Sequence, residues 1–456
     1  MALGMIHRLI DVMLEVSRQL GVECSCNDME ETAVMVHRIM SYQSRQFHTL
    51  EHVFGFIEKG TDPQTALAAV FHDLIYYQVD DGIQPAVHDL VMTVVEPEGS
   101  GMRLREKLPV SDELFHLCRR VFGFENGRLL QPLSGLNEFL SALIFLRLMS
   151  NHLPKAVLLA VTVCIEASIP FRGRNPEGRN VGEELEFRLL AMAKDGLIES
   201  DAAAIKLMVC RAIAFANVDV RDFALEDAGR FLNNTWKLLP ELNAALRWAG
   251  TFTIREYRQA LGKMLGFFHS LLPENIFHEF GDYPGTVAFR ALVDGARRNL
   301  AVAEAYMQAK LLAISLLESI AMVSGKDAPV ALFMGDLPGP GERADHLDQY
   351  LPKSELPSWL DTRSPVYHLL KTGRMDTSAF DLKNSPLALF LYSRIQPTQW
   401  LELEAKCAEY CQGKLEAEAF LLAWPVDLRN QVIKACAKMV QTRRDELEAW
   451  VNAHPT

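Results

Sequence analysis

Two histidines near residue 50 have a spacing that suits a shared ligand. His48 and His52 lie four residues apart in the segment QFHTLEHV, and on a helix this spacing places both imidazole rings on one face. Two neighbouring imidazoles can bind one metal ion together with a water molecule. A complete metal site would need further ligands from other segments.

A histidine and an aspartate follow within an apolar segment. His72 and Asp73 lie in AAVFHDLIYY, and the spacing of the apolar residues predicts a helix from Ala66 to Tyr77. A buried imidazole or carboxylate is costly without a partner, and a metal cation would be such a partner. The alternative is a pair of structural side chains whose hydrogen bonds are satisfied in the core.

A helical hairpin would bring these two pairs together. Asp62-Pro63 is a typical helix start, and Gly60 is a typical stop for the preceding helix. Two helices joined by so short a turn pack against each other. The hairpin is therefore predicted to place His52 against His72.

A fourth ligand is expected from a distant helix. The segment CRAIAFANVDVRDF contains Asn217, Asp219 and Asp222 after an apolar run. Asp219 is the predicted ligand, because it is flanked by two valines and a carboxylate in such an apolar segment is difficult to explain as a surface group. Asp222 is predicted to lie at the surface or to cap a helix, and Asn217 is a candidate for substrate binding.

The two segments FHTLEHV and AAVFHDLIY resemble the HD-domain metal-dependent phosphohydrolase superfamily. The likeness is to the branch with a Tyr-His-Asn-x-x-His segment and a Phe-His-Asp-x-x-Tyr segment, and it extends to the helical cyclic-nucleotide phosphodiesterases. The resemblance covers residues 46–77 and Asp219. Phe47 and Thr49 stand where that branch has tyrosine and asparagine, and the separation of Asp73 from Asp219 is longer than in a minimal domain.

The resemblance implies a role for each of these side chains. His52, His72, Asp73 and Asp219 would bind a divalent metal ion, which could be Mn, Fe, Co, Zn or Mg. His48 would donate a proton to the leaving oxygen. Asp73 would be a catalytic residue in addition to a metal ligand. Imidazole and carboxylate ligands suit such ions, and an open site leaves room for water.

Further candidates lie around residue 170. Glu166, at the end of an apolar helix, is expected to orient the water or a ligating histidine, and an ion pair with Arg172 is the equal alternative. The loop FRGRNPEGR carries Arg172, Arg174 and Arg179, whose guanidinium groups could bind a phosphate. An exposed charged loop is the alternative for these arginines.

The elements around these residues are predicted to be helices. Most segments have apolar residues every three or four positions, and repeated alternating strands are absent from the pattern, so the fold class is all-α. We expect an HD-domain-like helical core over residues 1–334 with a long helical insertion at about 85–205. A linker at 335–342, rich in glycine and proline, would lead to a C-terminal helical domain at 343–456.

Composition narrows the class of protein and its partners. Hydrophobic residues make up 49% and charged residues 23% of the chain, as in an ordinary globular protein. A net charge of −12 opposes binding to a nucleic acid polymer. Eight irregularly spaced cysteines favour a reducing, cytoplasmic location, and no apolar run suggests a membrane span.

These features together predict an enzyme. The leading hypothesis is a metal-dependent phosphohydrolase that acts on a small phosphorylated, nucleotide-like molecule through metal-activated water. Its C-terminal domain would regulate it, recognise a partner or form a homodimer. The first alternative is a di-iron oxygenase on the same scaffold, with Glu166 as an extra ligand, and the second is a non-catalytic helical protein that senses a ligand or binds a partner.

Overall fold

The structure is a computed structural model, and it describes residues 4–58, 60–107, 111–248, 250–335, 345–353 and 355–455. The fold is all-α, with 63% of residues in helices and 3% in strands. The helices of the N-terminal half are α1 (Met5–Leu20), α2 (Cys26–Met40), α3 (Leu50–Phe56), α4 (Pro63–Phe71), α5 (His88–Val91), α6 (Glu113–Phe122), α7 (Leu136–Met149), α8 (Lys155–Ala167), α9 (Val181–Lys194) and α10 (Ala202–Asp219). The later helices are α11 (Ala228–Thr235), α12 (Leu239–Leu242), α13 (Ile254–Ser270), α14 (Thr286–Val323), α15 (Val330–Met334), α16 (Pro365–Thr372), α17 (Pro386–Tyr392), α18 (Pro397–Cys411), α19 (Ala417–Leu422), α20 (Val426–Met439) and α21 (Arg444–Ala453).

The chain forms two compact units. The first unit contains Met1–Ala224 and Leu271–Ala296, and the second contains Leu225–Ser270 and Arg297–Thr456. This division differs from the predicted bounds of 1–334 and 343–456, because residues 225–270 and 297–334 group with the C-terminal segment. Apart from Gly335, the predicted linker at 335–342 lies outside the described residues.

Helix α8 is the centre of the first unit. Its sequence KAVLLAVTVCIEA is apolar on every side, and every residue from Val157 to Ala167 is buried. Because no face is polar, the helix must be surrounded, and α4, α6, α7, α9 and α10 pack against it. These neighbours include the two helices, α4 and α10, that end at the candidate site.

A small antiparallel sheet interrupts the helices of the first unit. Its strands are β1 (Val95–Glu98), β2 (Gly101–Leu104) and β3 (Leu129–Leu130), in that order. A short turn at Gly99 and Ser100 joins β1 to β2. A Cβ at Gly101 would lie 2.1 Å from the carbonyl oxygen of Leu130, so only glycine allows β3 to approach so closely.

The predicted helical hairpin is present, with shorter helices than expected. Asp62 accepts hydrogen bonds from the amides of Gln64 and Thr65 and begins α4, with Pro63 in its first turn. The predicted helix over 66–77 ends instead at Phe71, so His72 lies at its C-terminal end. Helix α3 ends at Phe56, well before the predicted stop at Gly60.

Helix α14 is long and apolar enough to cross a membrane by length and composition alone. Of its most apolar 18-residue window, 67% is buried inside the structure. A buried core helix of a soluble protein meets the same criteria. The absence of a membrane span and the cytoplasmic location therefore stay predictions.

Candidate metal centre

Side chains from three helices converge at one point of the first unit. His52 lies in the middle of α3, His72 and Asp73 follow the last turn of α4, and Asp219 is the last residue of α10. Nε2 of His72 is 3.1 Å from Oδ2 of Asp73 and 3.7 Å from Oδ1 of Asp219. Nε2 of His52 is 3.6 Å and 3.3 Å from the same two carboxylate atoms. The four residues predicted as metal ligands thus form one group.

The orientation of His72 suits a metal ligand. Its Nδ1 lies 2.9 Å from the carbonyl oxygen of Ala69 in the preceding turn. Since a carbonyl can only accept, Nδ1 carries the proton in the neutral ring, and the lone pair on Nε2 faces the two carboxylates. The rings of Phe56 and Phe215 pack against the imidazole with centroids 5.1 and 5.4 Å away, which fixes its position.

Three of the four converging side chains present a buried atom without a hydrogen bond. Within the described residues, Nε2 of His52, Nε2 of His72 and Oδ2 of Asp73 have no hydrogen-bond partner despite their proximity. These ligand atoms lie within 4.8 Å of one another. Buried polar atoms are normally satisfied, so such a cluster calls for a further partner. A cation at the centre would satisfy all three atoms at once.

The helix ends add to the negative potential at this point. Helices α4 and α10 both terminate here, and the C-terminal end of a helix carries a partial negative charge. Asp73 and Asp219 place two carboxylates beside these ends. Negative helix ends and two acidic groups repel one another unless positive charge lies between them.

The ionisation of the cluster follows from this charge balance. Burial raises the pKa of Asp73, but the positive charges of His72 and His48 lower it overall. Burial lowers the pKa of His72, but the negative charges of Asp73 and Asp219 raise it well above the usual value. In the absence of a metal ion the cluster therefore favours ionised carboxylates around a positive charge.

The site is partly exposed to solvent. The His72 side chain is 1% exposed, whereas those of His52, Asp73 and Asp219 are 12% to 18% exposed. A group bound by these side chains would contact the fully buried His72, and solvent would reach it at the other three side chains.

His48 lies beside the cluster, although α3 begins only at Leu50. The prediction that one helix carries both His48 and His52 was therefore wrong. The ring of His48 stacks on Tyr76 with centroids 3.9 Å apart, and it is 6.1 Å from the ring of His52. His48 therefore lies next to the group of ligand atoms without belonging to it.

A buried arginine missed by the sequence analysis holds the backbone of the site. Arg45 donates to the carbonyl oxygens of Asp73 and Leu74 at 2.8 and 2.9 Å. Its guanidinium also forms two hydrogen bonds with the Asp80 carboxylate, at 2.9 and 2.6 Å. Arg45 thereby fixes the segment before His48 against the residues that follow α4. An arginine and an aspartate among small and polar residues gave no sequence signal for this pairing.

Asn217 is occupied by the backbone and does not present its amide for a substrate. Its Nδ2 donates to the carbonyl oxygen of His278 and its Oδ1 accepts from the amide of His278, both at 2.8 Å. Asn217 was predicted to bind a substrate, but its side chain instead bonds the backbone of the buried His278. The physical reason is that a buried peptide group without secondary structure needs both its hydrogen bonds supplied by a side chain.

Glu166 forms the ion pair that was the alternative to its catalytic role. Its Oε1 accepts from Arg172 at 2.8 Å and from Arg188 at 2.7 Å. Burial raises the pKa of Glu166, but the two arginines outweigh burial and lower it to about 2. A carboxylate held by two guanidinium groups is satisfied where it is, and Arg172 is likewise engaged.

Arg174 and Arg179 also bind within their own loop. Arg174 donates to the carbonyl oxygen of Gly178 at 2.8 Å and pairs with Glu183 at 3.4 Å. Arg179 donates to Glu184 at 2.7 Å. Acidic residues are favourable in the first turn of a helix, here α9, and these two attract the arginines that precede them. The loop thus matches the alternative of a charged surface segment.

A second buried carboxyl group escaped the sequence analysis. Glu138, near the start of α7, is 8% exposed, and within the described residues its Oε2 has no hydrogen-bond partner. Burial raises its pKa to about 8, and the negative charges of Asp73 and Asp219 contribute to the rise. The rule that selected Asp219, an acidic residue within an apolar helix, applies equally to LNEFLSALIF and would have found it.

The group formed by His52, His72 and Asp73, with Asp219 beside it, could bind a metal ion. It offers imidazole nitrogen and carboxylate oxygen atoms in a half-open site. Comparisons of the chain with protein-family models, with curated proteins and with solved structures found no match.

Proposed function

We propose that the protein is a metal-dependent phosphohydrolase that acts on a small, nucleotide-like phosphate ester. The observation that carries this proposal is the convergence of three buried ligand atoms that lack hydrogen bonds, next to the carboxylate of Asp219. The resemblance of FHTLEHV and AAVFHDLIY to the HD-domain superfamily supports the same reading, because it assigns the same four residues to a metal.

A divalent ion held by these side chains would supply Lewis acidity, which lowers the pKa of a water molecule and polarises a phosphoryl oxygen. His52 and His72 offer imidazole nitrogens, and Asp73 and Asp219 offer carboxylate oxygens. This mixed set favours Mn²⁺, Fe²⁺, Co²⁺ or Zn²⁺ over Mg²⁺, which prefers oxygen ligands alone.

His48 would supply the proton for the leaving oxygen. Its ring is close to the cluster without belonging to the buried ligand atoms, and Tyr76 stacks on it and limits its rotation. The charge of Asp73 is within electrostatic reach of this imidazole. A protonated imidazole at that position stabilises a departing alkoxide by general acid catalysis.

The oxygenase alternative loses the ligand it depended on. Glu166 would have been the extra oxygen donor, but its carboxylate is bound by Arg172 and Arg188. Glu138 is another buried carboxyl group of this unit, and the charges of Asp73 and Asp219 contribute to its raised pKa.

The test is hydrolysis of a panel of phosphate esters by the full chain loaded with Mn²⁺, Co²⁺ or Zn²⁺. The panel contains nucleoside monophosphates, cyclic nucleotides and p-nitrophenyl mono- and diesters, and the readout is released phosphate or alcohol. We expect metal-dependent turnover that disappears in the double variant His72→Gln/Asp73→Asn.

The chain provides a matched control in its second His-Asp pair. His88 and Asp89 lie on the surface with side chains 52% and 102% exposed, so His88→Gln/Asp89→Asn should leave turnover unchanged. Absence of turnover with every ester and metal would contradict the hydrolase proposal, as would equal activity of the two double variants.

A further inference from the structure

A cavity of about 440 Å³ lies within the second unit, and none of its lining residues belongs to the metal centre. Its lining comes from α13, α14, α15 and α17, from the segments before α13 and before α17, and from Gly335 and His346 after α15. Lys310 and Asp381 are its charged lining residues within the described part of the chain. The rest of the wall is largely apolar, and its larger side chains are Phe252, Ile314, Val330, Met334, Phe380 and Leu387. The volume falls within the usual range for small-molecule sites.

The charged lining residues Lys310 and Asp381, together with Arg374, which pairs with Asp381, carry more positive than negative charge. The Lys310 side chain is 5% exposed, and its Nζ donates to Oδ2 of Asp381 at 2.9 Å. Arg374, whose side chain is fully buried, donates to the same oxygen at 3.1 Å. Within the described residues neither cation has a second carboxylate partner, so two buried cations share one anion.

Aromatic rings offset part of this charge but cannot neutralise it. The Arg374 guanidinium lies 3.9 Å from the ring centroid of Trp236, and Nζ of Lys310 lies 5.2 Å from the same ring. Each such contact stabilises a cation only modestly. A buried charge without a counter-ion costs more than this, which favours an anionic ligand.

The hydrogen-bond inventory also leaves donors without acceptors. The hydroxyl of Tyr306 accepts from Arg374 at 3.2 Å and lies 3.1 Å from Oγ of Ser385. Either hydroxyl can be the donor in this contact, and Ser385 also accepts from Lys310 at 3.1 Å. The third ammonium hydrogen of Lys310 is left for an acceptor at the cavity wall, and so is the hydroxyl hydrogen of Ser385 when Tyr306 donates to it.

We propose that this cavity binds a small organic monocarboxylate with an apolar body. The carboxylate would accept from Lys310 and Ser385, and the body would contact the apolar wall. One surplus positive charge matches a singly charged carboxylate better than a phosphate, which carries close to two negative charges at neutral pH. The site is independent of the metal centre and of the hydrolase proposal.

The test compares three eight-carbon ligands with the full chain by calorimetric titration and by thermal unfolding. Octanoate should bind saturably, with a dissociation constant below about 1 mM, and raise the unfolding temperature as its concentration increases. 1-Octanol, which has the same body without the charge, should bind at least about tenfold more weakly, a difference of about 1.4 kcal/mol. Octyl phosphate should also bind more weakly than octanoate.

Variants of the polar end complete the test. Lys310→Met should weaken octanoate binding at least about tenfold, while Arg374 continues to pair with Asp381 and maintains the fold. Ser385→Ala should weaken it in the same direction, and Lys406→Met, at an exposed lysine of the same unit, should not change it. No saturable octanoate binding, equal binding of 1-octanol, or tighter binding of octyl phosphate would overturn the proposal.

Discussion

At the scale of single residues, the candidate centre is defined by which atoms lack partners. His72 uses Nδ1 to bond the carbonyl of Ala69 and leaves Nε2 facing two carboxylates. By contrast, the carboxylate of Glu166 is paired with two arginines, which supply both its counter-charge and its hydrogen bonds. Both are buried ionisable side chains at the ends of apolar helices, and only the first presents an unsatisfied atom to a shared space. The distinction between a ligand and a structural ion pair lies in these hydrogen bonds.

His48→Gln tests the role of the proton donor. Metal content should stay the same, because His48 is not among the converging ligand atoms. The kcat for an ester with an alkoxide leaving group should fall by about 10² to 10⁴-fold, the usual contribution of general acid catalysis. A p-nitrophenyl ester should lose much less, since p-nitrophenolate departs without a proton. Equal losses for both kinds of ester would exclude the role.

At the scale of secondary-structure elements, tertiary contacts determine where the helices around the site end. The amides of Ile75 and Tyr77 donate to Ser141 and Asn137 of α7, so neither amide continues the helical pattern of α4. In the same segment the carbonyl oxygens of Asp73 and Leu74 accept from Arg45. The residues after α4 are thus an irregular segment tied down by side chains from elsewhere, and they orient Asp73.

Arg45→Met should destabilise the first unit strongly. The change leaves the Asp80 carboxylate, whose side chain is 1% exposed, without its cation, and breaking a buried ion pair from one side costs about 3 to 5 kcal/mol. The measurement is the free energy of unfolding in urea. Arg18→Met breaks an exposed pair with Glu15 and should have little effect. Similar effects of the two changes would show that Arg45 does not hold the segment.

Glu166→Gln should destabilise the protein in a pH-dependent way. The pKa of Glu166 is lowered to about 2 from 4.5, so its ion pairs stabilise the folded state fully above pH 4.5 and lose their effect as pH falls toward 2. At pH 7 the loss is about 3 kcal/mol. Urea unfolding at pH 7, 5, 4 and 3 should show the difference between the two proteins narrowing below pH 4.5. A difference that stays constant with pH would contradict the assigned ion pairs.

At the scale of the whole molecule, local patterns predicted the class of fold and the four converging side chains better than the grouping of segments. Asp219 was identifiable because an acidic residue between two valines is unusual, and the 62–63 helix start because Asp and Pro act on their own backbone. The early end of α4 depends on Ser141 and Asn137, which lie about 60 residues further along the chain. The backbone at His278 likewise depends on Asn217, which is 61 residues away in sequence. The placement of residues 225–270 in the second unit likewise follows from distant packing, which local composition does not encode.

The most direct test of the account is the metal content of the purified chain. After loading with Mn²⁺, Co²⁺ or Zn²⁺ and dialysis, elemental analysis should find about one ion per chain in the unchanged protein. Asp219→Asn should lose most of this metal, because it removes the ligand contributed by α10, and Asp222→Asn, three residues further on, should retain it. Full metal retention in Asp219→Asn, or no bound metal in the unchanged protein, would contradict a shared metal site.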